Sequence, residues 1–315
     1  MKNRVFFLLL AVTAGLLAWG TYQALYVAPA EATMGDAQRI FYYHVPAATA
    51  ASLLFWVNFV ASVWYLWKRS PVADAIAVAG AEVGVVFFTV VLISGPIWAR
   101  YAWGTFWVWD ARLTTSLILW LLYVSYLILR KSSELGSTSV LAASLAVFAA
   151  MDMPIVYMSN RWFRTNHPQP MIGTPNLNHD MQTVLLWNML AFCMFAVLIA
   201  WFRFELERTS QTINQLHIRR ASRGVSMAMI IPVPAIFLSA KPAMLLLARK
   251  AMLFGSIIML VLNSDADDLA HEKLVQHHYM VAGYIAVWTI YIGYLLILMN
   301  KLRKLHQEER ELRAS

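Results

Sequence analysis

The sequence is short of three things, and each shortage excludes something. It has one cysteine, Cys193, in 315 residues, so no disulfide can form within the chain and no cysteine-rich metal module can be built. Only 13% of its residues are charged, about half the share of an ordinary soluble domain. It also has no G-x-x-x-x-G-K-[ST] loop, so any ATP use falls to other proteins. Acidic residues are all but missing from the apolar runs. Glu82 and Asp152 are the two found there, and they form no ladder of acids for a proton or solute pathway.

What fills the space is apolar. Sixty per cent of the residues are hydrophobic, and several runs reach the roughly 20 residues that cross a bilayer core. The spacing predicts spans at about 5–27, 45–67, 75–97, 114–129, 140–158 and 183–202, with a last one at about 279–299. The first resembles a signal peptide, with Lys2 and Arg4 before the apolar run. It exceeds a usual h-region, and Ala28-Pro29-Ala30 is a weak imitation of a cleavage site, so a retained helix is expected. The fold expected is all-α: a polytopic membrane helix bundle with six core transmembrane helices and one or two more at the C-terminus.

The net charge of +8 does not point to nucleic acid here, because basic residues mark the cytoplasmic ends of spans. With the N-terminus inside, eleven basic residues fall inside (2, 4, 68, 69, 130, 131, 203, 208, 219, 220, 223) and five outside. That imbalance sets the orientation and leaves segments of about 28–44, 98–113 and 159–182 on the outer face. The five outer residues are Arg39, Arg100, Arg112, Arg161 and Arg164. An all-arginine set suits forked recognition of an anion, although arginine also snorkels to headgroups. Between Arg223 and Asp265 one further crossing is expected, because the final span ends in a basic tail and must start outside. A re-entrant segment is the competing form.

The densest signal lies in the middle outer segment, where Trp98, Trp103, Trp107 and Trp109 fall within twelve positions, with Tyr101 and Phe106 among them. An interfacial aromatic belt accounts for one or two rings per helix end. Four, interleaved with Gly104, Asp110 and Arg112, suit a flat polarizable ligand. Gly104 permits close backbone approach. Porphyrin meets these demands; so does a quinone or a lipid headgroup bearing a ring. Histidine placement favours porphyrin. His44, in Phe41-Tyr-Tyr-His-Val-Pro46, and His167, in Arg161-Trp-Phe-Arg-Thr-Asn-His-Pro168, fall on the same face as the tryptophans, and neutral imidazole is an axial ligand for heme iron. His179 is a third outer candidate. His271, His277 and His278 are weaker ones, and His217 and His306 fall inside. Arg39 and Arg112 are the candidates to meet propionates.

Three motifs together carry a family resemblance: Trp103-Gly-Thr-Phe-Trp107-Val-Trp109-Asp-Ala-Arg-Leu-Thr114, Phe41-Tyr-Tyr-His-Val-Pro46 before it, and Met151-Asp-Met-Pro-Ile-Val-Tyr157 after it. Over about residues 1–208 the chain resembles cytochrome c maturation protein C (CcmC, the heme exporter protein C family). The related cytochrome c synthase has Trp-Asp-Pro-Lys-Glu where this chain has Trp-Asp-Ala-Arg-Leu. The resemblance implies a six-helix, non-enzymatic protein of the bacterial inner membrane. Such a protein binds heme b non-covalently and transiently on the periplasmic side and passes it to the heme chaperone CcmE, beside the ATP-driven ABC-type pair CcmA and CcmB. It implies axial ligation by His44 and His167, a heme edge against Trp98, Trp103, Gly104, Trp107, Trp109 and Asp110, and polar contacts from Arg39 and Arg112. The absence of C-x-x-C-H agrees with a protein that is not itself heme-attached. Residues 279–315, one aromatic span with a charged cytoplasmic tail, resemble CcmD, the small one-helix protein of the same pathway, with 209–278 as the join. The alternatives are a heme-attaching cytochrome c synthase and a b-type electron-transfer cytochrome.

Overall fold

The structure is a computed structural model and describes residues 2–131, 137–169, 177–224 and 269–314. Among them there is no strand, only an isolated antiparallel bridge between Glu31 and Gly35. Water is missing from a bilayer core, so a helix, which satisfies its own backbone, is the natural answer for a single apolar run. The chain forms α1 (Lys2–Tyr22), α2 (Phe41–Lys68), α3 (Pro71–Trp103), α4 (Ala111–Lys131), α5 (Ser137–Ala150), α6 (Asp152–Trp162), α7 (His179–Gly224) and α8 (Leu269–Ala314). Among the described residues, seven helical stretches are long and apolar enough to cross a membrane, with α5 and α6 sharing one of them. The all-α membrane bundle expected from the apolar runs is the fold observed. The extra crossing expected between Arg223 and Asp265 lies outside the described residues.

Several boundaries have clear causes. Ser70 caps α3 by accepting from the Ala73 amide, with Pro71 in the first helical position, where its missing N–H costs nothing. α3 runs through Pro96 and past the expected end near 97 to Trp103, where Gly104 takes the left-handed conformation, φ +73°, and closes it. Between α5 and α6 the break falls at Met151. Pro154 explains it: a proline has no N–H for the carbonyl four residues back and crowds it, and that carbonyl belongs to Ala150, the last residue of α5.

Packing centres on α2 and α3. The backbone of Gly80 lies against the Leu54 carbonyl, and buried Asn58 donates from Nδ2 to the Ala77 carbonyl at 2.7 Å. α7 lies along α1, α2 and α3, and α8 along α3 and α7. α8 starts near Tyr101, through Gln276, and ends near His217, through Glu308. The ends of α1, α3 and α6 and the starts of α2, α4 and α8 thus share one end of the bundle, here called the loop face. Each of α7 and α8 has 46 residues, about 69 Å at the helical rise. That is over twice the ~30 Å hydrocarbon thickness, so both extend beyond it.

Charge around Arg203 and Arg130 is paired. Arg203, whose side chain is 5% exposed, donates from Nε to Glu82 at 2.7 Å and from Nη1 to Glu207 at 2.9 Å. Tyr294 donates to the other Glu82 oxygen at 3.2 Å. Arg130 grips Asp74 through two nitrogens, one of them at 2.8 Å. These contacts join α3, α4, α7 and α8. Arg203→Met would take the main cation from two part-buried carboxylates, leaving Glu82 to Tyr294 and Glu207 to Arg130 at 4.0 Å, and losing one partner of a buried pair costs about 3–5 kcal/mol. Unfolding in mixed detergent micelles should show a loss of that size. Glu82→Gln, which leaves Arg203 its bond to Glu207, should cost clearly less.

Candidate functional site

His44 sits in the first turn and a half of α2, where it meets α3. Its Nδ1 is 3.0 Å from Ser94 Oγ, and the Ser94 hydroxyl donates to the Val90 carbonyl at 2.7 Å. A hydroxyl has one proton. With that proton on Val90, Ser94 accepts from His44, so His44 carries its proton on Nδ1 and keeps the Nε2 lone pair free. Gly95 makes the approach possible, since a Cβ there would sit 3.2 Å from His44 Cε1.

His167 reaches the same state by another route. It lies in the segment after α6, and its Nδ1 is 2.9 Å from the Pro168 carbonyl. A carbonyl can only accept, so Nδ1 bears the proton and Nε2 is again the free nitrogen. Asn160 donates from Nδ2 to the same carbonyl at 3.0 Å, and Gln169 donates back to the Asn160 carbonyl at 2.6 Å. The loop is therefore fastened to the end of α6. His44 is within electrostatic range of both His167 and Arg112. Burial first, and the nearby Arg112 guanidinium second, lower the His167 pKa from its ordinary 6.5; the bond to Pro168 and the Asp110 carboxylate act the other way. The free imidazole is neutral at pH 7.

Asp110 joins the two halves. One carboxylate oxygen accepts from the Leu113 amide at 2.9 Å, which caps α4, and the other accepts from the Asn166 amide at 3.0 Å. A carboxylate at a helix N-terminus is favoured by both the free amides and the dipole. Its second bond holds the residue beside His167. Asp110 thus fixes the distance between the tryptophan segment and the His167 loop.

The four tryptophans form two edge-on pairs. Trp98 and Trp103, on the last turns of α3, have centroids 5.3 Å apart, and Trp107 and Trp109, on the short connection to α4, 5.7 Å. Only residues 104–110 of the expected 98–113 loop are non-helical. Trp98 packs with Tyr101 and Phe106 against Ile40, Ile97 and Tyr279. Trp109 is 77% exposed. The Trp107 indole N–H is buried without a partner among the described residues, an exception to the rule that buried donors are satisfied. Gly104 has open space where a Cβ would stand, so what it provides is the left-handed turn that closes α3.

Four of the five outer arginines are engaged with the chain itself. Arg39 pairs with Asp36 at 2.8 Å and donates to the Ala24 carbonyl at 2.6 Å. Arg112 donates from Nη1 to the Val156 carbonyl and, at 3.3 Å, to that of Tyr157. Arg100 donates to the Gly104 carbonyl, and Arg161 lies over the Tyr157 ring. His179 is 92% exposed beside Asp180 and has none of the fastening seen at His44 and His167. Ser94 and Asn160 are invisible as site residues in the sequence. Neither belongs to a motif that marks it as a histidine partner, and Ser94 is 50 residues from the histidine it holds.

Asp110→Ala should remove the α4 cap, at a cost of about 0.5–2 kcal/mol. It should also speed hydrogen exchange at both Leu113 and Asn166. Faster exchange at Leu113 alone would mean that the tether to the His167 loop carries no weight.

Comparison with known proteins bears on the same residues. The family model described as heme exporter protein C matches residues 1–219. Heme exporter protein C of Bradyrhizobium diazoefficiens is 34% identical over 227 residues, 71% of this chain and 86% of the relative. A ccmC-like mitochondrial cytochrome c biosynthesis protein of Marchantia polymorpha is 32% identical over 208 residues, 66% of this chain and 88% of the relative. Heme exporter protein C of Escherichia coli K12 is 29% identical over 202 residues, 62% of this chain and 82% of the relative. With a family model covering more than two thirds of its length and relatives matched over most of theirs, the chain belongs to the heme exporter protein C family.

Proposed function

We propose that the chain binds heme b at its loop face, between His44 and His167 and against the tryptophan segment, and delivers it to the heme chaperone CcmE during cytochrome c maturation. The observation that carries this reading is the matched pair of imidazoles. Each gives its Nδ1 proton to the chain and keeps Nε2 free, the arrangement in which an outer partner orients a metal-ligating histidine. Among the described residues no group of three His, Cys, Asp or Glu could hold a bare metal ion. Two imidazoles suit an iron whose other four positions come from a macrocycle.

The remaining residues fit such a cargo. Trp107 offers its unpartnered N–H, a donor suited to a carboxylate edge. Trp109 presents an exposed ring at the margin where an acceptor protein would dock. Arg112 adds positive charge near both imidazoles, which favours an anionic porphyrin rim and disfavours protonation of the ligands. Trp98, Trp103, Gly104 and Asp110 shape and hold the segment, and Arg39 fixes the approach to α2. The chain makes no covalent attachment to the porphyrin: transfer exchanges its imidazole–iron bonds for those of the acceptor, with the ATP-driven CcmA and CcmB working beside it. The loop face is periplasmic and both termini are cytoplasmic, in keeping with the bias of basic residues toward the opposite face. Residues 1–208 form the heme-handling unit, 209–278 the join and 279–315 a part equivalent to CcmD.

The test is spectroscopic. The purified protein should show a Soret band that shifts or disappears in His44→Ala and in His167→Ala; an unchanged spectrum in both would end the assignment. Ser94→Ala, which leaves His44 Nδ1 without its acceptor, should weaken heme binding by about 10–100-fold.

Acid should release heme, because ligation needs the neutral imidazole. With the His167 pKa lowered from 6.5 in the free chain, binding should be flat from pH 7 to that value and fall only below it. Arg112→Gln removes a cation that opposes protonation, so its acid limb should move to higher pH. An acid limb that stays in place would show that His167 is not the group being titrated.

A further inference from the structure

The family match ends at residue 219, yet the helix beyond it reaches the site. α8 touches the chain leading into both halves of the loop face. Gly283 lies against Ile40, where a Cβ would stand 3.2 Å from Ile40 Cγ1. Tyr284 donates to the Arg39 carbonyl at 3.3 Å, and its ring centroid is 4.1 Å from that of Tyr43. Ile40 and Tyr43 are the residues four and one before His44. On the other side, Gln276 donates from Nε2 to the Tyr101 hydroxyl at 2.9 Å. Its Oε1 fills the space beside Gly35, where a Cβ would come within 2.0 Å. The Tyr279 ring lies 5.9 Å from that of Tyr101 and packs with Ile40, Ile97 and Ala286, while Trp98 lies on the same cluster.

We propose that α8 is a positioning element for the site: Gln276, Gly283 and Tyr284 set where the start of α2, bearing His44, stands relative to the end of α3, bearing Trp98 and Trp103. In what it says of heme this rests on the reading above; in what it says of His44 it stands alone. The physical reason is leverage. Ser94 holds His44 from α3, but the 3-10 turn Asp36–Ile40 that leads into α2 is braced from α8, and a shift there turns the first turn of α2 and the imidazole on it. A helix that served only to fill the bundle would spread the effect of a wedge over all its neighbours, rather than confine it to residues 36–44 and 97–103.

The experiment compares wedges at two depths of α8 in the full chain. Gly283→Leu pushes on Ile40. Gly293→Leu adds the same side chain where nothing lies within 4 Å of the new Cβ. Gln276→Ala and Tyr284→Phe remove single bonds without adding volume, and so report even if the wedge impairs folding. Three readouts are taken: the Soret position, the heme affinity, and hydrogen exchange over residues 36–44 and 97–103 in heme-free protein. Gly283→Leu should shift the Soret band, weaken heme binding about tenfold and speed exchange over 36–44. Gln276→Ala should speed exchange over 97–103. Gly293→Leu should match the unaltered protein throughout.

The proposal is overturned if Gly283→Leu and Gln276→Ala match the unaltered protein in all three, or if Gly293→Leu behaves as Gly283→Leu does. The two readings separate cleanly. If His44→Ala abolishes the band while the α8 variants change nothing, positioning fails and heme binding stands. If the histidine variants leave the spectrum unchanged but Gly283→Leu still loosens residues 36–44, heme ligation fails and positioning stands.

Discussion

Arg203 is the fixed point of the bundle. A guanidinium with 5% of its side chain exposed, in a helix that crosses a bilayer, is tolerable only with its charge matched at once. Glu82 from α3 and Glu207 one turn further along α7 supply the match, and Tyr294 from α8 takes the remaining Glu82 oxygen. Sliding any of these helices by one turn, about 5.4 Å, would separate ions that have no water to fall back on. The register of α3 against α7 and α8 is therefore set electrostatically, away from the loop face. α3 carries that register outward: Ser94 and Trp98 lie 12 and 16 residues beyond Glu82, about 18 and 24 Å along a stiff rod. The network lies away from the loop face, yet it sets where the side chains of that face stand.

On that scaffold the two histidines are held in unequal ways. His44 rides on a helix, against another helix, with its Nδ1 proton directed to a serine whose own proton is committed. His167 sits on a connecting segment and depends on that segment's fastening by Asn160, Gln169 and Asp110. One imidazole is built into the core and the other into a loop. Site-bearing loops on rigid scaffolds are the general pattern; here each kind of support supplies one nitrogen.

Much of this is readable in the sequence because the bilayer imposes simple rules. Apolar length locates the spans, and the bias of basic residues gathers His44, the tryptophans and His167 onto one face without any structural input. What the sequence conceals depends on neighbours distant along the chain. The helical run to Trp103 is hidden because Gly95-Pro96 reads as a stop and Trp98 to Trp103 as interfacial loop, whereas the helix carries Pro96 within it and ends at Gly104. The interruption at Met151 is legible in principle, since Pro154 points four residues back to Ala150. Ser94 as the partner of His44, and Arg203 as the partner of Glu82, are not, for nothing in a single apolar run says which face meets which. Asp110 reads in sequence as a group for the ligand; its oxygens instead serve two backbone amides. Arg39 and Arg112 read as anion partners and are found also bound to carbonyls of their own chain.

The carboxylate of Asp110 has a mechanical meaning. It is one rigid group bonded at both ends, to the first turn of α4 and to the amide beside His167, so it behaves as a pin through two plates. A hydrogen bond to a charged group contributes about 1.5–3 kcal/mol. Withdrawing the pin from the loop side alone is thus a rare but ordinary thermal event, on the order of one molecule in ten to one in a hundred at any moment. Its release frees the loop from α4 alone, because Asn160 and Gln169 still tie that loop to the end of α6.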